Sequence, residues 1–68
     1  MRRPPNAAKV PPPAPEAIRD WRRDRGLSAS EAAALVHSTG RAWQRWEAGE
    51  RRMHPAMWEL ARIKAHPA

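Results

Sequence analysis

The chain has 68 residues, enough for at most one small domain, which cannot enclose an enzyme cleft beside a core of its own. Lys and Arg outnumber Asp and Glu by thirteen to seven, and the net charge of +6 favours a polyanionic partner, nucleic acid before an anionic membrane. The absence of cysteine excludes disulfides and thiolate metal sites.

The first fifteen residues, MRRPPNAAKVPPPAP, contain most of the prolines of the chain. Such a segment buries too little apolar surface to offset the entropy lost when its backbone is ordered. We therefore predict a disordered, polyproline-like basic arm over residues 1–15 and one folded domain over residues 16–66.

The first helix is predicted over residues 16–25, EAIRDWRRDR, with Ile18 and Trp21 on one face. Pro15 stands where a helix can begin without losing a hydrogen bond, and Gly26 can end the helix in a left-handed conformation.

A second helix follows Ser28, because Ser28 and Glu31 have the spacing of a capping box. This helix is coated with alanine, which favours close approach to another backbone. It ends near His37, where no glycine is present, so His37 would have to adopt the left-handed conformation itself. A looser turn, or one shifted by a residue, is expected there.

A third helix is predicted over residues 40–47, capped by Ser38 or Thr39 and ended by Gly49. The spacing of three and four residues places Trp43, Trp46 and Glu47 on its inner face. Its outer face then carries Arg41, Gln44 and Arg45. The alternative for the two tryptophans is an exposed platform on which nucleic-acid bases stack.

A fourth helix is predicted over residues 55–65, beginning at Pro55 and carrying a wide apolar stripe. No strand pattern is present, so the expected class is all-α, a compact domain of four or five helices. Its predicted core consists of the four tryptophans together with Ile18, Leu27, Leu35, Val36, Leu60 and Ile63.

Three segments in register, IRDWRRDRGLS, SEAAALV and RAWQRWEAGERR, resemble the helix-turn-helix domain of the lambdoid repressor and Cro family, also called the XRE family. The resemblance covers about residues 18–63, nearly all of the foldable chain. Within that family, the run WQRWEAGERRMHPAMWEL is most similar to small phage or prophage regulators such as anti-CRISPR-associated autorepressors. The resemblance implies a lambda repressor-like fold whose third helix enters the major groove of DNA.

The resemblance also implies a set of DNA-binding residues. Outward residues at the start of the third helix are expected to read bases, namely Gly40, Arg41, Gln44 and Arg45. Helix starts and the segment after the third helix are expected to hold phosphates through Ser28, Ala29, Thr39, Arg51 and Arg52. An ordinary solvated, charged surface is the alternative for these side chains.

Two further roles follow from the resemblance. Arg22 is expected to pair with Glu47 as a structural clamp between the first and third helices. The fourth helix is the expected dimer seam, through Met57, Trp58 and Leu60.

The sequence departs from the family pattern at three places, namely the turn at His37 and Ser38, Ala29 in place of a glutamine, and Gly40 in place of a reading side chain. Specificity is therefore expected to depend partly on DNA shape and on the arm. In the arm, Arg2, Arg3 and Lys9 either enter a minor groove or add only diffuse charge.

The expected function is a sequence-specific double-stranded DNA-binding regulator, a repressor that acts as a homodimer on an inverted repeat near a promoter. The alternative is a protein-interaction module, antitoxin-like or an adaptor, in which the helices serve as a scaffold. No cofactor, metal, small-molecule ligand or membrane is expected, and the cytoplasm of a bacterium or phage-infected host is the expected location. The remaining alternative is that the basic charge serves solubility alone.

Overall fold

The computed structural model describes residues 11–65, which form four α-helices and no strand. The helices are α1 (Pro15–Asp24), α2 (Ala29–Leu35), α3 (Gly40–Ala48) and α4 (Pro55–Lys64). Helix α3 packs against α1 and α2, and α4 packs against α2. The predicted all-α class is confirmed, whereas the predicted disorder of residues 1–10 lies outside the described residues. None of the helices within 11–65 combines the length and apolarity that crossing a membrane requires.

Each helix begins at a residue whose chemistry suits a helix start. The Ser28 hydroxyl accepts from the Glu31 N–H at 3.0 Å, and the Ser28 N–H donates to the Glu31 carboxylate at 2.8 Å. The Thr39 hydroxyl caps α3, and the His54 imidazole Nδ1 caps α4 by accepting from a backbone N–H at 3.0 Å. Proline is the first residue of both α1 and α4. The predicted Ser28–Glu31 capping box and the predicted Thr39 cap are thus confirmed.

Three helices end in the same hydrogen-bonded turn, in which a left-handed residue lets the next N–H reach back five residues. The left-handed residues are Gly26 (φ 71°), His37 (φ 58°) and Gly49 (φ 79°). After His37, the N–H of Ser38 donates to the Ala33 carbonyl at 2.9 Å. The α2–α3 turn is therefore closed like the two glycine turns, and the expectation of a looser or shifted turn is wrong.

His37→Gly is expected to stabilise the domain by about 0.5–1 kcal/mol. The left-handed conformation costs an L-residue roughly 1–2 kcal/mol, and glycine avoids this cost. Part of the gain is lost because glycine has a greater conformational entropy in the unfolded state. Urea unfolding followed by tryptophan fluorescence measures the change. The matched control is Gly26→Ala, whose new Cβ would meet no atom within 4 Å, so only backbone strain acts. The free energy of unfolding of Gly26→Ala should be about 1 kcal/mol lower than that of wild type. A His37→Gly variant less stable than wild type would contradict the claim that His37 is strained.

The core lies where the inner faces of the four helices meet. Its fully buried members are Ile18, Ala32, Ala33, Val36, Trp43, Trp46, Met53 and Ala61, and half-buried Trp21, Leu27, Leu35, Trp58 and Leu60 pack against them. Ile63 was expected in this core and is 64% exposed, so that expectation is wrong. Ile63 is about 200° around α4 from buried Ala61 and therefore faces solvent.

The four tryptophans form one continuous row. Trp58 meets Trp21 edge to face at a centroid distance of 5.5 Å, Trp21 lies 6.1 Å from Trp43, and Trp43 meets Trp46 edge to face at 5.4 Å. Such tilted and edge-to-face pairs are favourable beyond the area they bury. Trp43 is 0% and Trp46 6% exposed, so core packing is confirmed and the base-stacking alternative for these two residues is wrong.

Candidate nucleic-acid interface

A charged hydrogen-bond network fixes α3 to α1. Two guanidinium nitrogens of Arg22 donate to the Glu47 carboxylate, while the third donates to the Leu27 carbonyl at 3.0 Å. The indole Nε1 of Trp43, one turn before Glu47, donates to the same carboxylate at 2.6 Å. The predicted Arg22–Glu47 pair is confirmed. The role of the Trp43 indole was not predicted, although its spacing of four residues from Glu47 could have indicated it.

The network also sets the electrostatics of Glu47. The hydrogen bond from Arg22 is the largest cause that holds the pKa of the Glu47 carboxyl below its ordinary value of 4.5; burial opposes this shift, and Trp43 adds to it. The same hydrogen bond raises the pKa of the Arg22 guanidinium. Both side chains are therefore charged, and their charges are satisfied by each other rather than available to a ligand.

The outer face of α3 has the opposite character. Arg41, Gln44 and Arg45 are exposed, while Trp43 and Trp46 on the opposite face are buried. Arg41 and Arg45 also line a groove of about 400 Å³, whose other walls come from the turn before α3, the segment after it and the start of α4. The full lining is Ser38, Thr39, Arg41, Ala42, Arg45, Trp46, Arg51, Arg52, His54 and Met57.

The groove, hereafter the arginine groove, carries positive charge that no ion pair among the described residues neutralises. Its lining holds four arginines and no carboxylate. Within residues 11–65 the ion pairs are Arg19–Asp20 and Arg22–Glu47, and neither includes an arginine of the groove. Unpaired guanidinium groups around one concave surface attract a polyanion and can each donate two parallel hydrogen bonds to a phosphate or a guanine.

A second, shallower depression of about 350 Å³ adjoins the arginine groove along α3. It shares Arg41 and Arg45 with the groove and adds Gln44, Ala48 and Glu50. The structure thus brings six of the nine predicted DNA-binding residues to one continuous surface: Thr39, Arg41, Gln44, Arg45, Arg51 and Arg52.

The other three predicted residues, Ser28, Ala29 and Gly40, line neither the groove nor the depression. Ser28 uses both its hydroxyl and its N–H in the capping box with Glu31, and Ala29 packs partly buried against the core. Gly40 lies against α2: a Cβ there would stand 2.6 Å from the Ser30 hydroxyl and 3.3 Å from the Ser30 Cα. Glycine at position 40 therefore allows close α2–α3 packing and offers no side chain for reading bases.

Five residues that line the arginine groove were not among the predicted DNA-binding residues: Ser38, Ala42, Trp46, His54 and Met57. His54, whose imidazole caps α4, and Met57, 37% exposed, contribute to the lining beside the arginines. The place of His54 beside α3 depends on how the segment after α3 folds back.

The three residues expected at a dimer seam have different surroundings. Met57 lines the arginine groove, and half-buried Leu60 packs against the core. Half-buried Trp58 meets Trp21 and is covered by the guanidinium of Arg62, 5.1 Å from the ring centroid. A cation over an indole face stabilises the folded chain modestly.

The described end of the proline-rich arm lies beside the arginine groove. Pro12, Pro13 and Pro15 line a cavity of about 410 Å³ together with Trp46, Gly49, Arg51 and Arg52. Residues 11–14 have no regular secondary structure, and α1 begins at Pro15, one residue earlier than predicted. The chain therefore reaches α1 next to the segment that carries Arg51 and Arg52.

No family model and no curated protein matches the chain.

Proposed function

We propose that the protein is a sequence-specific regulator of transcription that binds double-stranded DNA through α2 and α3, used as a helix-turn-helix. One observation carries the proposal: the exposed, unpaired side chains of Arg41, Gln44 and Arg45 adjoin Arg51 and Arg52 on one surface. The resemblance of the sequence to the lambdoid repressor and Cro family supports the same function.

In this mechanism α3 enters the major groove, which at about 12 Å wide accepts one helix. Arg41 donates two hydrogen bonds to guanine O6 and N7, Gln44 pairs with adenine N6 and N7, and Arg45 adds a third contact. Arg51 and Arg52 grip the phosphate backbone, which fixes the register of α3 without reading sequence.

Contacts on the inner face of α3 fix the orientation of this helix. Buried Trp43 and Trp46 and the Arg22–Glu47 pair hold α3 in one orientation before DNA arrives. A reading helix that is already fixed loses less entropy on binding, so more of the contact energy appears as affinity.

Regulation is proposed to be repression by a homodimer that occupies an inverted repeat near a promoter and so blocks access to it. Two-fold symmetry would place the half-site centres about 34 Å apart, one turn of the duplex. Steric occlusion requires only the helical domain that carries the arginine groove.

Selection of bound duplexes from a random pool is the experiment that tests the proposal. We expect an inverted repeat whose half-sites contain guanine and adenine opposite Arg41 and Gln44. Arg41→Ala should reduce the preference for that guanine by about five- to 150-fold, the equivalent of 1–3 kcal/mol, and Gln44→Ala should act likewise on the adenine. Arg23→Ala, an exposed arginine of α1 outside the groove, is the control. A pool that yields no preferred sequence, or variants that keep the wild-type sequence preference, would exclude the assigned reading helix.

A protein-interaction module is the second candidate, favoured by the apolar side chain of Met57, which is 37% exposed within the arginine groove. Salt distinguishes the two functions. Binding through several phosphate contacts weakens steeply between 50 and 200 mM salt, whereas an apolar protein contact changes little.

A further inference from the structure

We propose that Glu50 sets the sequence discrimination of the DNA-binding surface by repelling phosphates and accepting a hydrogen bond from a cytosine amino group. This inference rests on the proposed function and adds a residue that lies outside the predicted DNA-binding set. Glu50 is the one carboxylate among the residues that line the arginine groove and its adjoining depression.

The backbone fixes Glu50 beside the reading side chains. Its N–H donates to the Arg45 carbonyl at 2.9 Å in the turn that ends α3, so the residue is held one step past left-handed Gly49. Its side chain is exposed and lines the depression together with Arg41, Gln44 and Arg45.

Although two arginines line the same depression, the Glu50 carboxylate pairs with neither. The ion pairs within residues 11–65 involve other side chains, and no hydrogen bond ties the Glu50 carboxylate to the described residues. The carboxylate therefore keeps its acceptor positions free on the surface proposed to meet DNA.

A free carboxylate acts differently on the two modes of DNA binding. Sequence-independent binding depends almost wholly on phosphate attraction, which a negative charge on the contact surface opposes. When α3 is bound in the major groove, its side chains lie beside base edges, where a carboxylate can accept a hydrogen bond from the N4 amino group of cytosine. Glu50 thus weakens attachment to arbitrary DNA more than attachment to a site with cytosine at the facing position.

Anisotropy titrations of a labelled random-sequence duplex and of the duplex selected by wild-type protein test this role, with Glu50→Gln and Glu50→Ala. Removing one opposing charge is equivalent to up to one phosphate contact, so the random duplex should bind about three- to eightfold more tightly near 0.1 M salt. The selected duplex should gain less, so the ratio of selected to random affinity should fall, by at most the roughly three- to eightfold gain of the random duplex. Repeating the pool selection with Glu50→Ala should remove one cytosine preference from each half-site.

Glu59→Gln is the matched control, because Glu59 is an exposed glutamate on α4 that lines neither the groove nor the depression. Glu59→Gln makes the same change in net charge. An equal effect on the affinity ratio would show that the effect of Glu50 comes from net charge alone, and it would overturn the inference. An unchanged affinity ratio in both Glu50 variants would overturn it as well. If wild-type protein selects no sequence at all, it is the proposed function that fails, and that result is visible before any variant is made.

Discussion

Glu47→Gln is expected to lower the free energy of unfolding by about 2–4 kcal/mol, a large part of the stability of so small a domain. The Arg22 and Glu47 side chains are only 18% and 12% exposed, so the substitution leaves a guanidinium half-buried without its counter-charge. The amide oxygen can still accept from Trp43, which confines the loss mainly to the pair with Arg22. Urea unfolding with circular dichroism measures it.

The matched control is Asp20→Asn, which removes a carboxylate from an exposed pair at 4.0 Å and should change stability by less than about 0.5 kcal/mol. Equal losses in the two variants would show that Glu47 makes no special contribution.

The same variant should change how stability responds to acid. Because the folded pKa of Glu47 lies below its ordinary value, the pair contributes fully above about pH 4.5 and loses its contribution as pH falls toward the folded pKa. Glu47→Gln has no carboxylate to protonate, so its stability should fall less steeply than that of wild type below pH 4.5.

Arg51→Ala combined with Arg52→Ala is expected to weaken duplex binding about 30- to 60-fold near 0.1 M salt without altering the selected sequence. Each phosphate contact contributes a salt slope of about 0.9, so the slope should become shallower by nearly two. Both arginines are exposed and line the arginine groove, so their loss should leave the core and the fold unchanged. Anisotropy titrations at several salt concentrations measure affinity and slope together.

The control for this pair is Arg23→Ala combined with Arg25→Ala, two exposed arginines at the end of α1 that lie outside the groove. It removes the same charge, so it should weaken binding only by the small, general effect of net charge. A similar slope change in both double variants would mean that no particular surface meets the phosphates.

The features that could be predicted from the sequence are those decided by neighbours along the chain. Ser28 and Glu31 are three residues apart, and their capping box needs no other part of the fold. The inward direction of Trp43 and Trp46 likewise follows from helical spacing. The pairing of Arg22 with Glu47 joins distant segments, and only the family resemblance made it predictable.

The features that could not be predicted depend on how elements meet. Met53 stands in what reads as a charged turn, yet it is fully buried because the segment after α3 folds over the core. Its position just before the α4 cap is one at which an apolar residue often packs against the helix, and that was the available signal. The predicted burial of Ile63 was wrong because the rotation of α4 about its axis depends on which of its faces meets α2.

Gly40 shows the same limit within the site. The family resemblance predicted a reading role at its position, and only the distance between α2 and α3 reveals that a side chain there would collide with Ser30. The membership of His54 and Met57 in the arginine groove also requires the three-dimensional fold.

The row of four indoles has a consequence for how the domain behaves as a whole. Helices of seven to ten residues are not stable alone in water, and three of these four are joined through rings that touch one another in series. Detaching any one of those three exposes an aromatic face on its neighbour, so partial opening gains little and costs nearly as much as complete unfolding. The domain is therefore expected to unfold in one cooperative transition rather than helix by helix.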